Sequence, residues 1–300
     1  MAPDQILTSL LAIAWTCALG GCATPAGDSQ MIDAFATAHG MERTLTTGAR
    51  FQHVIYARGD LAAALRIHVY LEGDGHPWET RHRIASDPTP RNPLALQLMA
   101  QDPTPAIYVG RPCYHGLSRA LGCTPWLWTH GRYSREVVAS MALAIEHRLP
   151  PDDRRHITLI GYSGGGVLAT LIAGRLADVD SLVTIAANLD IDAWADRHGY
   201  SRLAGSLNPA AETPLDSGIR QIHLIGERDD QVPPETIRRF LAMNPQAHLK
   251  VFPEFDHRCC WGERWQTMLG SVELPSYPDH RHAEIVLPSD RAQGQAGTAE

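Results

Sequence analysis

The β-branched apolar run Ile157-Thr158-Leu159-Ile160 stops abruptly at Gly161-Tyr162-Ser163-Gly164-Gly165-Gly166, and a helix-compatible segment, Val167 to Leu176, follows at once. A strand that becomes a helix across so tight a turn needs glycine on both sides of it. Gly161 and Gly165 meet that need, because a residue without a Cβ lets strand and helix approach closely. In this setting G-x-S-x-G lifts the Ser163 hydroxyl to the top of a sheet and aims the next N–H, that of Gly164, at a developing oxyanion. An ordinary Gly-rich turn is the rival reading. The strand before and the helix after favour a nucleophilic serine.

Strand and helix signals alternate along the rest of the chain. Phe51 to Ala57 and Leu65 to Leu71 read as neighbouring strands joined near Arg58-Gly59-Asp60. Asn92 to Gln101 reads as a helix, and Ala106 to Val109 as a short buried strand. Ser134 to Arg148 is amphipathic, with Val137, Val138, Met141, Ile145 and Leu149 at helical spacing. Leu182 to Ala186, Ile219 to Ile225 and His248 to Phe252 read as further strands. Pro233 to Met243 reads as a helix between the last two, and Cys260 to Leu269 as a final helix. Alternation of this kind implies βαβ units, hence an α/β fold with a mostly parallel central sheet and helices on both faces. Asn188 to Asn208 is a short lid segment after the strand that follows the elbow. One catalytic domain, 41–277, accommodates the pattern.

Two loops past strand ends carry the remaining chemistry, where α/β sites form. Gly226-Glu227-Arg228-Asp229-Asp230-Gln231-Val232-Pro233 follows one strand, and Pro253-Glu254-Phe255-Asp256-His257 follows the next. With Ser163 they stand in the order Ser…Asp…His. Here the chain resembles α/β-hydrolase-fold serine hydrolases over roughly Phe51 to Leu269. The resemblance implies Ser163 as nucleophile, Asp229 as acid, ahead of Asp230 and Glu227 by register, and His257 as base. Tyr70-Leu71-Glu72-Gly73-Asp74-Gly75 resembles the family's first oxyanion loop, often written HGGG, with Glu72 and Asp74 in place of His and Gly. The implied oxyanion hole is Gly73, Asp74 and Gly164. A carboxylate such as Asp74 in a donor loop is unusual, since one aimed at the oxyanion opposes catalysis; it can instead hydrogen-bond the turn. His76 and Trp194 are pocket candidates, and Trp126 and Trp128 candidates for its border. Asp190 and Asp192 lack the glycine and distal glutamate of a calcium loop; they read as surface or capping residues.

The N-terminus reads as a targeting segment. Ile6 to Leu19 is apolar, shorter than the roughly 20 residues of a membrane span, and ends in small residues. Leu19-Gly20-Gly21-Cys22 resembles the lipobox of bacterial lipoproteins, although Met1 to Gln5 holds Asp4 and no Lys or Arg. The resemblance implies a signal peptide over 1–21, lipid on Cys22, a tether over 22–40 and a membrane-anchored protein facing the periplasm or the cell exterior. The words EGDG, DPTP, RPC and HxCCW resemble a group of bacterial α/β-hydrolase lipoproteins. In an oxidising compartment the four cysteines that remain, Cys113, Cys123, Cys259 and Cys260, are disulfide candidates. Cys113–Cys123 closes a local loop, with Cys259 and Cys260 adjacent or vicinally bridged. Residues 278–300 form a polar tail.

Composition excludes other classes. Net charge is −7 and Lys250 is the only lysine, so nothing suggests a nucleic-acid partner. The 15 histidines are scattered without HExxH spacing, so no metal and no cofactor are expected. The expected function is an exported serine hydrolase acting on a small-molecule or acyl-ester substrate through an acyl-enzyme. A non-catalytic surface-binding lipoprotein, or an acyltransferase or peptidase with the same triad, are the alternatives.

Overall fold

The computed structural model describes residues 27–273 apart from 150, 151 and 153. The signal segment, Cys22 and the tail 278–300 lie outside the described residues. The strands are β1 (Glu42–Thr47), β2 (Gln52–Arg58), β3 (Arg66–Leu71), β4 (Trp78–Thr80), β5 (Arg83–Ile84), β6 (Ala106–Val109), β7 (His156–Tyr162), β8 (Val179–Ile185), β9 (Arg220–Gly226) and β10 (His248–Phe252). The helices are α1 (Asp28–Ala38), α2 (Leu94–Gln101), α3 (Arg135–Arg148), α4 (Gly164–Ala173), α5 (Ile191–His198), α6 (Arg238–Met243) and α7 (Trp261–Glu273). Eight strands form one sheet in the order β1-β2-β6-β3-β7-β8-β9-β10, and β4 pairs with β5 as a separate hairpin. From β6 to β10 every pairing is parallel; β2 runs antiparallel to both its neighbours.

The period of two along each strand divides the core into two layers. Ile67, Val69 and Leu71 of β3, with Ile107 and Val109 of β6, face α3 and α4, where Val137, Val138, Met141, Val167, Leu168 and Ile172 cover them. Tyr70 of β3, with Ala106 and Tyr108 of β6, faces the other side. There α1, α2 and α7 contribute Ile32, Leu96, Met99, Trp261 and Trp265. Burial on both faces explains why the central strands read as near-continuous apolar runs.

The structure adds β1 and the β4–β5 hairpin to the strands read from sequence, and it departs from that reading elsewhere. Strands β2 and β3 are not neighbours, because β6 lies between them. Gly59, at φ +77° and packed against Pro105 just ahead of β6, carries the connection past that strand. The stretch expected as tether contains α1, whose Ile32 and Ala36 are buried and whose Asp33 accepts from the Tyr56 hydroxyl and from Arg43 Nε. Pro233 to Met243 is a 3-10 turn, Pro234–Ile237, followed by the short α6.

Candidate active site

Ser163 joins β7 to α4 at φ 51°, ψ −122°. L residues rarely adopt such a conformation, and holding one there costs about 1–3 kcal/mol. The surroundings over-determine it. The Ser163 N–H donates to the Ile185 carbonyl at 2.8 Å. A Cβ on Gly161 would run into the Gly165 backbone, and one on Gly165 into the carbonyls of Leu71 and Glu72. The glycines of the elbow are therefore required by contact, as their spacing implies.

His257 reaches Ser163 from the loop after β10, with Nε2 3.1 Å from the serine Oγ. Its Nδ1 lies 2.8 Å from Asp229 Oδ2 in the loop after β9. The Asp229 carboxylate can only accept, so Nδ1 carries the hydrogen and Nε2 is left to accept from the serine hydroxyl. The other carboxylate oxygen, Oδ1, accepts from the N–H groups of Gln231 and Val232 at 2.9 and 2.7 Å. Asp229 and His257 are 3% and 6% exposed. Asp230 and Glu227, the rival acids, are exposed. Asp256 is exposed as well; it accepts from the N–H groups of Arg258 and Cys259 and tightens the turn that presents His257. The Tyr162 hydroxyl donates to the His257 carbonyl at 3.0 Å, which fixes the base from behind.

The expected oxyanion loop follows β3 and faces the elbow, but its three members differ. The Gly73 N–H is taken: it donates to Glu72 Oε1 at 3.0 Å. Gly73 is thus corrected from oxyanion donor to spacer, a close neighbour of the Tyr162 ring and the Ser163 Cβ. The Glu72 carboxylate also accepts from the Ala95 N–H at 3.0 Å. It supplies the cap that Pro93 cannot give α2. Burial pushes the Glu72 carboxyl up to about 7 against these hydrogen bonds. The backbone N–H groups of Gly164 and Asp74 have no acceptor among the described residues. They are the donors that remain.

The Asp74 carboxylate lies against Gly164, and three side chains hold it there. Oδ2 accepts from Arg132 Nη1 at 2.6 Å, and the Tyr133 hydroxyl donates to Oδ1 at 2.8 Å. Arg111 Nη2 makes a 2.8 Å ion pair with Oδ1, without hydrogen-bond alignment. The Tyr114 hydroxyl holds the Asp74 carbonyl at 2.9 Å. Burial alone would raise the Asp74 pKa; the Arg132 and Arg111 charges outweigh it and hold the carboxyl below its usual range. Two guanidinium groups face one carboxylate here. A Cβ on Gly164 would collide with the Asp74 carboxylate and the Tyr133 hydroxyl, which closes this cluster against the elbow.

These residues open into a cleft of about 1010 Å³. His76 and Trp194 both line it, as does Tyr200. Trp194 is anchored by an Nε1 hydrogen bond to the Gln231 carbonyl at 2.8 Å. Trp126 and Trp128 do not border it: Trp128 is buried with its Nε1 on the Ala85 carbonyl, and Trp126 packs beside Gly131 and Gly205. Asp190 caps α5 through the N–H groups of Asp192 and Ala193. Cys113 is bridged to Cys123, and Cys259 to Cys260. Arg111, Arg132, Tyr133 and Tyr162 were missed as site residues by sequence reasoning. Arg111 opens the word RPC, the one available signal, since its approach to Asp74 spans two separate loops.

No family model matches the sequence, and no curated protein matches it. Solved structures do. The Pyrococcus furiosus esterase Pf2001 superposes with a TM-score of 0.54 at 14% identity, over 79% of this chain and 92% of that one. A proline iminopeptidase-related protein from Thermus thermophilus gives 0.54 at 13% identity, over 77% and 98%. A puromycin hydrolase gives 0.53 at 19% identity, over 79% of this chain and 40% of that one. At these identities the likeness speaks for architecture, and together with the strand order and the strained elbow it gives this chain the α/β-hydrolase fold.

Proposed function

We propose that the protein is a serine hydrolase of carboxylic esters, with Ser163, His257 and Asp229 as nucleophile, base and acid. The observation that carries this reading is the unbroken relay from Ser163 Oγ through the His257 ring to Asp229, at 3.1 and 2.8 Å, on a strained turn that opens into a cleft. A serine hydroxyl attacks poorly unless a base takes its proton. Ser163 Oγ adds to the ester carbonyl carbon while that proton passes to His257 Nε2. The carbonyl π pair moves onto oxygen and is held by the N–H groups of Gly164 and Asp74. Loss of one such donor raises the barrier by about 2.7–4 kcal/mol. Collapse of the adduct expels the alcohol, which leaves with the proton from His257. Water then repeats the sequence on the acyl-enzyme and releases the acid. Asp229 holds the imidazole in the productive tautomer and stabilises its protonated form.

Labelling with a fluorophosphonate probe tests the reading. Wild-type protein becomes labelled and hydrolyses short-chain 4-nitrophenyl esters; Ser163→Ala, still folded by circular dichroism, does neither. Undiminished labelling of that variant would discard the nucleophile.

We further infer export and lipid anchoring at Cys22, on the apolar run Ile6 to Leu19 and the ending Leu-Gly-Gly-Cys. Metabolic labelling with a fatty-acid analogue is expected to tag the wild type and not Cys22→Ala. Equal tagging of the two, or a full-length chain confined to the cytoplasm, would overturn the inference.

A further inference from the structure

The two walls of the cleft differ in chemistry. Trp194, Tyr200 and Leu203 form an apolar wall, with the first two rings 5.3 Å apart. Opposite in character are His76, Arg81, Arg91 and Arg258, which line the same cleft. Both carboxylates of the lining are already committed: Glu72 to backbone N–H groups and Asp74 to Arg132 and Arg111. The three outer guanidinium groups keep little counter-charge. Arg91 meets Asp28 at 3.5 Å with most of its side chain exposed. Among the described residues Arg81 and Arg258 form no ion pair; the Asp256 carboxylate, which accepts from the N–H groups of Arg258 and Cys259, acts on the Arg258 charge from farther off. This surplus of positive charge sits in a chain whose net charge is −7, so it is a local arrangement and not a reflection of composition.

Two of these arginines, Arg91 and Arg258, line the cleft with His76 and act on it. The His76 pKa is lowered by partial burial and by the charges of Arg91 and Arg258, with Asp28 opposing. The buried Nδ1 of its imidazole has no partner among the described residues. His76 stands two residues past Asp74 on the oxyanion loop, and Arg258 directly follows His257. Like charges gathered in this way repel one another, and a bound anion relieves the repulsion. A guanidinium fork matches a carboxylate in a bidentate pair.

Resting on the serine-hydrolase reading, we propose that His76, Arg91 and Arg258 form a subsite for a carboxylate carried by the ester substrate. Arg258 and Arg91 hold the charge, His76 adds a hydrogen bond, and Arg81 on the β4–β5 hairpin extends the positive field. The Trp194–Tyr200 wall then receives the apolar part of the substrate.

Two pairs of esters test this and locate the charge. The monoadipate ester of 4-nitrophenol against its adipamate twin places the carboxylate on the acyl side. 4-Carboxyphenyl acetate against 4-carbamoylphenyl acetate places it on the alcohol side. In one arm kcat/KM for the carboxylate ester is expected to exceed that of its neutral twin at least tenfold at low ionic strength. Added salt shrinks the ratio. In Arg91→Gln/Arg258→Gln the ratio falls toward one, and the Lys/Lys pair restores part of it. Equal rates in both arms, with the neutral esters turned over and Ser163 labelled, would overturn the subsite and leave the hydrolase reading standing. Absence of both turnover and labelling would instead sink the hydrolase reading. The subsite is then judged on Ser163→Ala by equilibrium titration: tighter binding of either carboxylate ester than of its twin supports it, and equal binding refutes it.

Discussion

In the proposed reaction Asp74 stands where a negative charge ought to harm catalysis, because it would repel an oxyanion formed beside it. Neutralisation offsets the harm. The carboxylate packs against Gly164, but Arg111, Arg132 and Tyr133 hold it and the two guanidinium groups offset its charge. Asp229 and Asp230 show the same dependence on surroundings. Adjacent in sequence, one is buried on His257 and two backbone N–H groups, while the other is exposed. His257→Ala is expected to lower kcat by about 10⁶ and Asp229→Asn by about 10⁴, with double losses far from additive. Asp230→Asn should leave kcat near the wild-type value. Steady-state kinetics on a 4-nitrophenyl ester check all three. If Asp230→Asn proved the crippling change, the wrong carboxylate would have been chosen.

At the scale of elements, the turn from β7 into α4 carries the site, and its glycines show why contact outranks propensity. Alanine in place of glycine within a helix usually stabilises by about 1 kcal/mol. At Gly165 the added Cβ would strike the backbone of Leu71 and Glu72, which cannot move without disturbing β3 and the oxyanion loop. Overpacking of this kind costs about 1–3 kcal/mol, so the sign reverses. Gly165→Ala is expected to lower the urea midpoint and to weaken fluorophosphonate labelling together. A raised midpoint would show that the helix moves aside. The neighbouring α2 depends on a distant cap as well. Pro93 precedes it and gives no side-chain acceptor, so Glu72 supplies one from the loop after β3. The segments that carry DPTP and RPC fix the same region: the His76 N–H donates to the Pro88 carbonyl, and the His115 N–H to the Thr89 hydroxyl.

Across the whole molecule, burial of titratable groups sets a pH dependence of stability. Burial, against a hydrogen bond to the Gly110 carbonyl, lowers the His53 pKa to about 4; burial lowers that of His115 to about 4 and that of His223 to about 3. Unfolded, each titrates near 6.5. Between those limits the unfolded chain binds more protons, so these three groups give stability that is complete above pH 6.5 and lost as pH falls. Glu72 acts in the opposite sense. Its folded pKa of about 7 lies above the 4.5 of an ordinary glutamate, so its contribution is complete below pH 4.5 and lost as pH rises to 7. Three groups outweigh one, and the urea midpoint is expected to rise from pH 4.5 to pH 7. His223→Leu should make that rise shallower and Glu72→Gln should make it steeper. Unchanged slopes in both variants would refute the assignment.

The α/β alternation, the amphipathic α3, the strand–elbow–helix and the order Ser163, Asp229, His257 are properties of local pattern, and the sequence alone determines them. Periodicity and turn chemistry act over a few residues, so they survive without knowledge of the partners. Tertiary structure decided what depends on partners far apart in the chain. Strand β6 separates β2 from β3, because pairing in a sheet follows crossover connections and not chain order. The helix α1 packs where small polar residues read as a tether, since its two buried side chains and one carboxylate find the β2 face only after folding. The Gly73 N–H is taken by its own neighbour, Glu72. The carboxylate of Asp74 is held by Arg111, Arg132 and Tyr133, residues 37, 58 and 59 positions away. No local rule reaches that far: a carboxylate in low dielectric takes whichever cations the fold delivers, and the fold alone delivers them.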